Sequence, residues 1–299
     1  MQNDTNILNA FCVDLEEWFH ICGVATGFED LSTWNQAISR VEQNTEVLME
    51  LLEQANAKGT FLTVGWIAER YPQLIKKLSD AGHEIGCHSY AHQLVYTLTP
   101  KQFEVDLECC LGILRDISGQ PVNIYRAPGF SMTRNTFWAY PILAKHGVET
   151  DISLVPANRD HGGLKGFTRE PFILKTNNGN INIFPVSVMN IFGKLIPFSG
   201  GGYLRLLLLS LIYHGFSQNH KMGRPCMTYI HPREIDKGQP RLKLPLQKYF
   251  KYYFGINSTQ EKLRSLLKKY KFGTISQTME QMEKLPIRSQ KEVMAEIDN

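Results

Sequence analysis

The sequence predicts an α/β fold built on a parallel sheet. Seven short apolar runs, rich in β-branched residues, recur along the 299 residues, and segments with helical spacing lie between several of them. Strand and helix in repeated alternation are typical of a parallel sheet, which is either open or closed into a barrel. The predicted strands cover residues 7–13, 60–64, 83–86, 122–125, 149–152, 181–186 and 226–230.

The predicted helices carry their own boundary signals. Gly59 and Gly82 each follow a segment with helical apolar spacing, where a helix C-cap favours a left-handed residue. Thr99-Pro100 opens another helix, with proline in the first turn, where its missing N–H donor costs nothing. The apolar run 204–213 contains a charged residue and is about half the length that crosses a membrane, so it predicts a buried or interfacial helix.

Polar residues at the ends of several predicted strands favour a barrel over an open sheet, a choice that periodicity alone leaves undecided. Active sites of α/β barrels collect side chains from the carboxyl ends of many strands. The residues in such positions are Asp14, Glu16, His88, His92, Arg126, Asp151 and His231. We therefore expect a barrel over residues 1–240 and a C-terminal α/β extension over residues 241–299 that packs on it, with a helix from about Thr259 and a short strand at 272–275.

Composition excludes several classes of protein. With 43% hydrophobic and 20% charged residues, the chain has ample material for a core. A net charge of +3 gives little support to nucleic-acid binding. Six cysteines without a C-x-x-C pair predict reduced thiols in a cytoplasmic protein, and the first residues resemble no signal peptide. We expect no transmembrane segment, and the oligomeric state is left open.

Two groups of residues have the chemistry of a metal site. His88 and His92 have H-x-x-x-H spacing, which would place both imidazoles on one face of a helical turn. Asp14 and Glu16 follow the first strand and would project to one side of an extended chain, with Glu17 on the other. One carboxylate could then bind the metal while the other acts as a base. The alternatives are a solvated acidic strand end and an ordinary pair of histidines.

Five segments, in order over residues 8–232, resemble the motifs of the NodB-homology polysaccharide deacetylases, carbohydrate esterase family 4. The motifs are Phe11-Cys-Val-Asp14-Leu-Glu16, Gly82-His-Glu-Ile-Gly-Cys-His88-Ser-Tyr-Ala-His92, Arg126-Ala-Pro128-Gly-Phe130, Asp151-Ile-Ser153-Leu-Val-Pro156 and Tyr229-Ile-His231-Pro232. The first departs from the commoner pair of adjacent aspartates, since Leu15 separates the acids and the second is a glutamate. The Pro232 context and Phe198-Ser-Gly-Gly-Gly-Tyr203 resemble the exosortase-associated subgroup found with exopolysaccharide genes.

The resemblance implies a distorted (β/α)7 barrel that binds one divalent metal ion through Glu16, His88 and His92. Zinc is the first expectation, with cobalt, nickel and manganese as alternatives. Glutamate is one methylene longer than aspartate, so the role of Glu16 is less firmly implied than that of the histidines.

The resemblance also implies roles for the remaining motif residues. Asp14 would be the catalytic base, Arg126 would orient it, and His231 would be the general acid supported by Asp151. The substrate would be an N-acetylated amino sugar, hydrolysed to acetate and a free amine. Aromatic side chains that could stack on the sugar rings are Phe130, Trp18 and Tyr203.

Two other functions remain open from the sequence. The same fold serves amidases that act on non-sugar amides, some without metal, and the set Glu16, His88 and His92 argues against that branch. A catalytically silent glycan-binding barrel is the second alternative, although base, acid and ligands are all present. The sugar could be part of a polymer, a lipid-linked intermediate or a nucleotide sugar. A cytoplasmic, exopolysaccharide-type enzyme would favour an unfinished precursor.

Overall fold

The computed structural model describes residues 7–282 and 284–297. Residues 1–6, on which the expectation about a signal peptide largely rests, lie outside them. The chain divides into two compact units. The first unit takes its described residues from 1–61, 82–84 and 198–280, and the second takes them from 62–81, 85–197 and 281–299.

Twelve strands are present in the described residues. They are β1 (Leu8–Leu15), β2 (Thr60–Thr63), β3 (Glu84–Cys87), β4 (Ile124–Tyr125), β5 (Thr150–Asp151), β6 (Phe172–Thr176), β7 (Gly179–Ile183), β8 (Val188–Ile191), β9 (Lys194–Pro197), β10 (Met227–Ile230), β11 (Lys271–Gly273) and β12 (Ile287–Ser289). All seven predicted strands are among them. The remaining strands belong to hairpins or are short, and their sequences lack a long apolar run.

Eleven α-helices are present in the same described ranges. They are α1 (Val41–Gln54), α2 (Gly65–Arg70), α3 (Pro72–Asp80), α4 (Pro100–Ser118), α5 (Ala139–Lys145), α6 (Gly201–Leu206), α7 (Leu209–His220), α8 (Leu246–Tyr253), α9 (Ile256–Lys269), α10 (Ile275–Glu280) and α11 (Gln290–Ile297). Not one of these helices combines the length and the apolar character that crossing a membrane requires.

In the first unit, β1 pairs in parallel with both β10 and β11. Every residue of β1 after Leu8 is buried, as expected for a central strand of a parallel sheet. Val13 is in register with Ile230, so the segments that follow β1 and β10 leave the sheet side by side. This register determines which polar side chains meet in this unit.

In the second unit, the strand order is β3-β4-β5-β7-β6-β12. All neighbours in this order are parallel except β6 and β7, which form an antiparallel hairpin. A separate antiparallel hairpin joins β8 to β9. The predicted α/β fold with a parallel sheet is therefore confirmed. The two antiparallel hairpins were not predicted from the sequence.

Helix boundaries follow the predicted signals in two cases out of three. Thr99 forms a capping box with Gln102 at the start of α4, and Gly82 has a φ of 76° after α3. Gly59 does not cap α1, because the left-handed residue after that helix is Asn56 with a φ of 49°. Gly59 instead allows close packing, since a Cβ there would lie 3.0 Å from the carbonyl oxygen of Phe11.

Two elements predicted for the C-terminal third of the chain differ from those in the structure. The predicted helix at 204–213 is two helices, α6 and α7, separated at Leu207 and Leu208. The predicted strand at 272–275 ends at Gly273, because Thr274 and Gln277 form reciprocal hydrogen bonds of 3.1 and 3.0 Å that start α10. Within their respective units, β11 pairs with β1 and β12 pairs with β6.

Candidate active site

His231 is the centre of a charged cluster in the first unit. It directly follows β10, and its Nε2 atom lies 3.0 Å from Oε1 of Glu16 and 3.5 Å from Oδ2 of Asp14. Both acids follow Val13 of β1, which is in register with Ile230. Pairing of the two strands therefore brings Asp14 and His231, the predicted base and acid, close together. Asp14 and Glu16 are buried, and the His231 side chain is 15% exposed.

Glu234 contacts the other nitrogen of the His231 ring. His231 Nδ1 lies 2.9 Å from Oε2 of Glu234, a side chain with no solvent exposure. The second carboxylate oxygen of Glu234 accepts a 2.9 Å hydrogen bond from Nε of Arg205. Arg205 is itself buried and also donates to the carbonyl oxygens of Lys251 and Phe254. A chain of buried ionic contacts thus runs from α6 through Glu234 to His231.

The sequence assigned the support of His231 to Asp151, whereas the observed partner of the His231 Nδ1 atom is Glu234. The Nδ1 atom of His231 contacts the carboxylate of Glu234, which lies three residues further along the chain in a short 3₁₀ turn. The sequence His231-Pro-Arg-Glu234 has the spacing of a capping box, in which the fourth residue reaches back to the first. That spacing was the signal that could have revealed Glu234 in advance.

The electrostatic environment keeps His231 charged. Burial lowers the pKa of His231, but the carboxylates of Glu16 and Glu234 outweigh burial and raise the pKa to about 10. The pKa of Glu234 moves in the opposite direction: burial raises it, and the charges of His231 and Arg205 more than compensate and lower it. The ring is therefore an imidazolium that can give up a proton from Nε2.

The two histidines of the second motif lie in the second unit, and their backbone differs from the prediction. His88 to His92 form an irregular loop after β3, with no helical turn. Ser89 and His92 have φ values of 66° and 51°, in the left-handed region that L-residues rarely adopt. These two reversals bring the rings together, with centroids 5.1 Å apart. The predicted proximity of the imidazoles holds, although the predicted helix does not.

Asp106 on α4 supports this loop. One carboxylate oxygen accepts a hydrogen bond from the backbone N–H of Tyr90 at 3.0 Å, and the other accepts from Ala91 at 3.1 Å. The carbonyl oxygen of Ser89 accepts from the backbone N–H of Gly65 at 2.9 Å. Such contacts can hold a strained loop in one conformation. Sequence reasoning missed Asp106, because nothing in its local pattern distinguishes it from a solvated helix residue.

The orientation of His88 suits a metal ligand. Its Nδ1 atom lies 2.7 Å from the carbonyl oxygen of Arg126. A carbonyl only accepts, so Nδ1 must carry the proton and Nε2 keeps its lone pair. Metal-binding histidines commonly donate their second ring nitrogen to a carbonyl or carboxylate in this way.

Asp151 lies in the interior of the second unit. Ser153 donates its hydroxyl to Oδ1 at 2.5 Å, and Tyr140 donates to Oδ2 at 3.2 Å. The Ser153 hydroxyl oxygen also accepts from the backbone N–H of Ala127 at 2.8 Å, which joins the third and fourth motifs. Burial raises the pKa of Asp151 to about 6, although these hydrogen bonds and the charge of Arg126 lower it.

The predicted sugar-stacking residues differ in exposure. Trp18 is buried, and its indole N–H donates to the carbonyl oxygen of Ile38 at 2.9 Å. Phe130 is buried as well, with the guanidinium groups of Arg126 and Arg159 at 5.3 and 4.6 Å from its ring centroid. Tyr203 in α6 is the partly exposed ring of the three. The first two rings pack in the interior and present no open face to solvent.

The glycines of the Phe198-Ser-Gly-Gly-Gly-Tyr203 segment have a packing role next to His231. A Cβ on Gly200 would lie 2.1 Å from the ring of Tyr229, which is two residues before His231. Gly201 has a φ of 54°, a conformation that favours glycine. The segment can therefore lie against the end of β10 only if these positions lack side chains.

Comparison with known families identifies the region that contains the second and third motifs. Residues 24–150 match the family model described as polysaccharide deacetylase. The chain carries a polysaccharide deacetylase domain. Residues 152–280 match a second model, described as a domain of unknown function, DUF3473. His231, Glu234 and Arg205 lie in this second region.

Individual relatives agree with the domain assignment. This chain is similar to a peptidoglycan deacetylase of Helicobacter pylori, with 28% identity over 152 residues, 50% of each chain. A peptidoglycan-N-acetylglucosamine deacetylase of Bacillus cereus is 27% identical over 145 residues, 48% of this chain and 49% of the relative. The chain thus spans about half the length of the curated relatives it matches.

A solved structure shows the same fold. The crystal structure of a putative polysaccharide deacetylase from Mycobacterium smegmatis superposes with a TM-score of 0.57 and 19% identity, covering 89% of this chain and 92% of the other. In the second unit, His88 and His92 bring together two imidazole rings, a side-chain type that binds metal ions. The deacetylase domain therefore contains two neighbouring histidines that are candidate metal ligands.

Proposed function

We propose that this protein is a metal-dependent hydrolase that removes N-acetyl groups from an amino-sugar-containing glycan or glycan precursor and releases acetate. The observation that carries the proposal is the position of His231 between two carboxylates that follow β1 and a third carboxylate, Glu234. A base and a protonated acid around one reaction centre are what amide hydrolysis requires.

The residues have complementary tasks in this reaction. Asp14 takes a proton from the water molecule whose oxygen forms a bond with the acetyl carbon. The carbon–nitrogen bond then breaks, and His231 delivers its Nε2 proton to the departing amine. The products are acetate and the free amino sugar. Arg126 is proposed to orient Asp14, as the resemblance to the family motif implies.

The proposed metal ligands are Glu16, His88 and His92. Two imidazoles and one carboxylate are a common donor set for zinc, and the Nε2 lone pair of His88 fits this use. A divalent ion bound there would act as a Lewis acid, polarising the acetyl carbonyl and lowering the pKa of water. Cobalt, nickel and manganese are alternatives within the proposal.

Glu234 takes over the supporting role that the sequence assigned to Asp151. A carboxylate on Nδ1 fixes the ring orientation and stabilises the imidazolium, so Nε2 faces the reaction centre with its proton. Arg205 keeps Glu234 ionised and prevents it from turning away. We therefore propose Glu234 as the positioning residue of the general acid, and Asp151 as a structural residue that joins two motif loops.

The substrate is proposed to be an unfinished precursor of an exopolysaccharide, with the enzyme in the cytoplasm. Two features support this part of the proposal: the glycine-rich segment at 198–203, and six cysteines that are all free thiols. The named relatives act on peptidoglycan according to their descriptions, so a peptidoglycan precursor is the main competing substrate.

A screen for acetate release tests the proposal. The full chain, loaded in turn with zinc, cobalt, nickel or manganese, is offered N-acetylglucosamine oligomers, a lipid-linked N-acetyl sugar and a nucleotide N-acetyl sugar. We expect acetate from at least one substrate with at least one metal, and a chelator should abolish it. Asp14→Asn serves as the matched control, because it keeps the size of the side chain.

Two results would refute the proposal. The first is an absence of acetate from every substrate while metal analysis shows one bound ion. The second is equal acetate release by the parent chain and by Asp14→Asn. Acetate release from a non-sugar amide, with none from the sugar substrates, would instead identify an amidase of the same fold.

A further inference from the structure

Helix α8 and the loop before α7 expose an apolar surface in the first unit. Leu246, Phe250 and Phe254 follow one another at four-residue spacing, one helical turn apart, and are 83%, 51% and 51% exposed. The rings of Phe250 and Phe254 are stacked, with centroids 4.4 Å apart. Leu206, the last residue of α6, and Leu208, just before α7, are 36% and 71% exposed.

These two groups of residues are neighbours. The guanidinium of Arg205 donates to the carbonyl oxygens of Lys251 and Phe254 at 2.9 and 2.7 Å, so the end of α8 is bound to the end of α6. Gly255 lies so close that a Cβ there would be 2.4 Å from the carbonyl oxygen of Arg205. We call the surface formed by Leu206, Leu208, Leu246, Phe250 and Phe254 the α8 face.

One residue of α8, Tyr253, anchors the helix to the rest of the first unit. Tyr253 is buried, and its hydroxyl accepts a 3.0 Å hydrogen bond from the backbone N–H of Leu242. The guanidinium of Arg241 lies 4.4 Å from the centroid of the Tyr253 ring. Although Tyr253 anchors the helix, Leu246, Phe250 and Phe254 stay exposed in the folded unit. They are available to a partner outside the first unit.

The segment that contains α8 carries charge of one sign. Between Asp236 and Glu261 the sequence has no acidic residue and five basic ones, Lys237, Arg241, Lys243, Lys248 and Lys251. The whole chain has a net charge of only +3, so this segment is a local concentration of positive charge. Apolar side chains on a helix with flanking lysines are typical of helices that lie in the interface of an anionic membrane.

The composition of the face distinguishes lipid from other partners. A glycan would be held by aromatic rings with polar neighbours, whereas three of the five side chains here are leucines, which cannot stack on sugar rings. The lysines would suit the phosphates of a nucleic acid, but the exposed leucines would have no counterpart there. We infer that the α8 face binds the surface of an anionic phospholipid membrane, with the apolar side chains inserted among the acyl chains and the lysines at the headgroups.

Vesicle binding by the full chain tests this inference and requires no enzymatic activity. The full chain is sedimented with vesicles of pure phosphatidylcholine, or of equal amounts of phosphatidylcholine and phosphatidylglycerol, at low and high salt. We expect binding to the anionic vesicles that weakens as salt rises. Lys243→Gln and Lys248→Gln should each weaken it by roughly fivefold. Leu246→Ser combined with Phe250→Ser should reduce binding to the level seen with pure phosphatidylcholine.

Matched controls are available in the second unit. Phe192→Ser removes a fully exposed aromatic ring there, and Lys165→Gln removes an exposed lysine, so both should bind vesicles like the parent chain. Circular dichroism and thermal melting establish that each variant is folded.

Three outcomes would overturn the inference. They are absence of binding to anionic vesicles at low salt, equal binding by the parent chain and the double serine variant, and equal losses in the control variants. Binding of N-acetylglucosamine oligomers that is lost in Phe250→Ser, without vesicle binding, would identify a glycan surface instead. Because none of these measurements uses acetate release, they remain decisive even if the proposed hydrolase activity is absent.

Discussion

Asp14 and Glu16 both reach His231 Nε2, yet they are assigned different tasks. Asp14→Asn removes the proposed base and leaves the proposed metal ligands in place. We therefore expect metal to stay bound while turnover falls roughly 10²- to 10⁴-fold. Glu16→Gln removes an anionic ligand, so metal binding should weaken first and activity should partly recover at high metal concentration. Metal titration followed by rate measurement separates the two variants.

The opposite pattern would exchange the two roles. If excess metal rescues Asp14→Asn while Glu16→Gln retains its metal and is inactive, Glu16 is the base. If both variants lose metal, Asp14 belongs to the coordination shell and a different base must be sought.

Glu234 is predicted to matter for both turnover and folding. Glu234→Gln leaves the buried guanidinium of Arg205 without its anionic partner, which should cost about 3–5 kcal/mol of unfolding free energy. The double variant Arg205→Met with Glu234→Leu replaces both charges by apolar groups and should recover part of that stability. Turnover should remain low in both variants, because neither has a carboxylate on Nδ1 of His231.

Denaturant unfolding and steady-state kinetics provide the two measurements. A double variant that regains turnover together with stability would show that Glu234 acts only on the fold. In that case, the orientation of His231 would depend on contacts other than the one at Nδ1.

Asp151 is predicted to make stability depend on pH. Burial raises its pKa from 3.8 to about 6, so the folded state holds the proton more tightly than the unfolded chain does. The stabilising contribution is therefore fully present below pH 3.8 and is lost as pH rises through about 6. Asp151→Asn should remove this dependence, which corresponds to about 3 kcal/mol over the interval. Urea unfolding at several pH values measures it, and identical pH profiles for variant and parent would contradict the assignment.

At the scale of single elements, the loop from His88 to His92 depends on α4 for its shape. Asp106 accepts both backbone hydrogen bonds at the turn, and two loop residues have positive φ. Asp106→Ala should therefore relax the loop and separate the imidazoles. We expect metal affinity to fall roughly 10- to 100-fold, as is typical when a supporting contact of a ligand is lost.

Asp116→Ala is a matched control for this prediction, because Asp116 is an exposed acid on the same helix. Metal affinity is measured by titration with a competing chelator. Equal affinity in the Asp106 and Asp116 variants would mean that the loop keeps its conformation without the α4 contact.

At the scale of the whole molecule, the segment after Pro240 is predicted to be required for folding. It supplies β11, which pairs with β1, and the carbonyl oxygens that bind Arg205. Its buried side chains include Leu263, Leu266 and Phe272. Burying three such residues contributes about 5–9 kcal/mol, which is comparable with the total stability of a typical domain.

A chain that ends at Pro240 should therefore be insoluble or melt at a much lower temperature than the full chain. Expression yield, thermal melting and substrate preference test this expectation. A truncated chain that stays soluble, with unchanged melting and unchanged preference, would show that residues 241–299 are a dispensable appendage.

The sequence by itself determined the parallel α/β fold and the positions of the candidate site residues. Buried strands are short runs of apolar residues, and the polar residues after them, such as Asp14 and His231, are recognisable because they interrupt those runs. The proximity of these two residues followed from one assumption, that parallel strands end at the same edge. The register of Val13 with Ile230 satisfies that assumption.

Only the tertiary structure decided which groups become partners. Glu234 instead of Asp151 holds His231, a strained loop instead of a helical turn brings His88 and His92 together, and Trp18 is buried. The physical reason is that periodicity and spacing report only on neighbours along the chain. Hydrogen-bond partners and burial depend on which segments pack together, and several arrangements of one motif are compatible with the same local pattern.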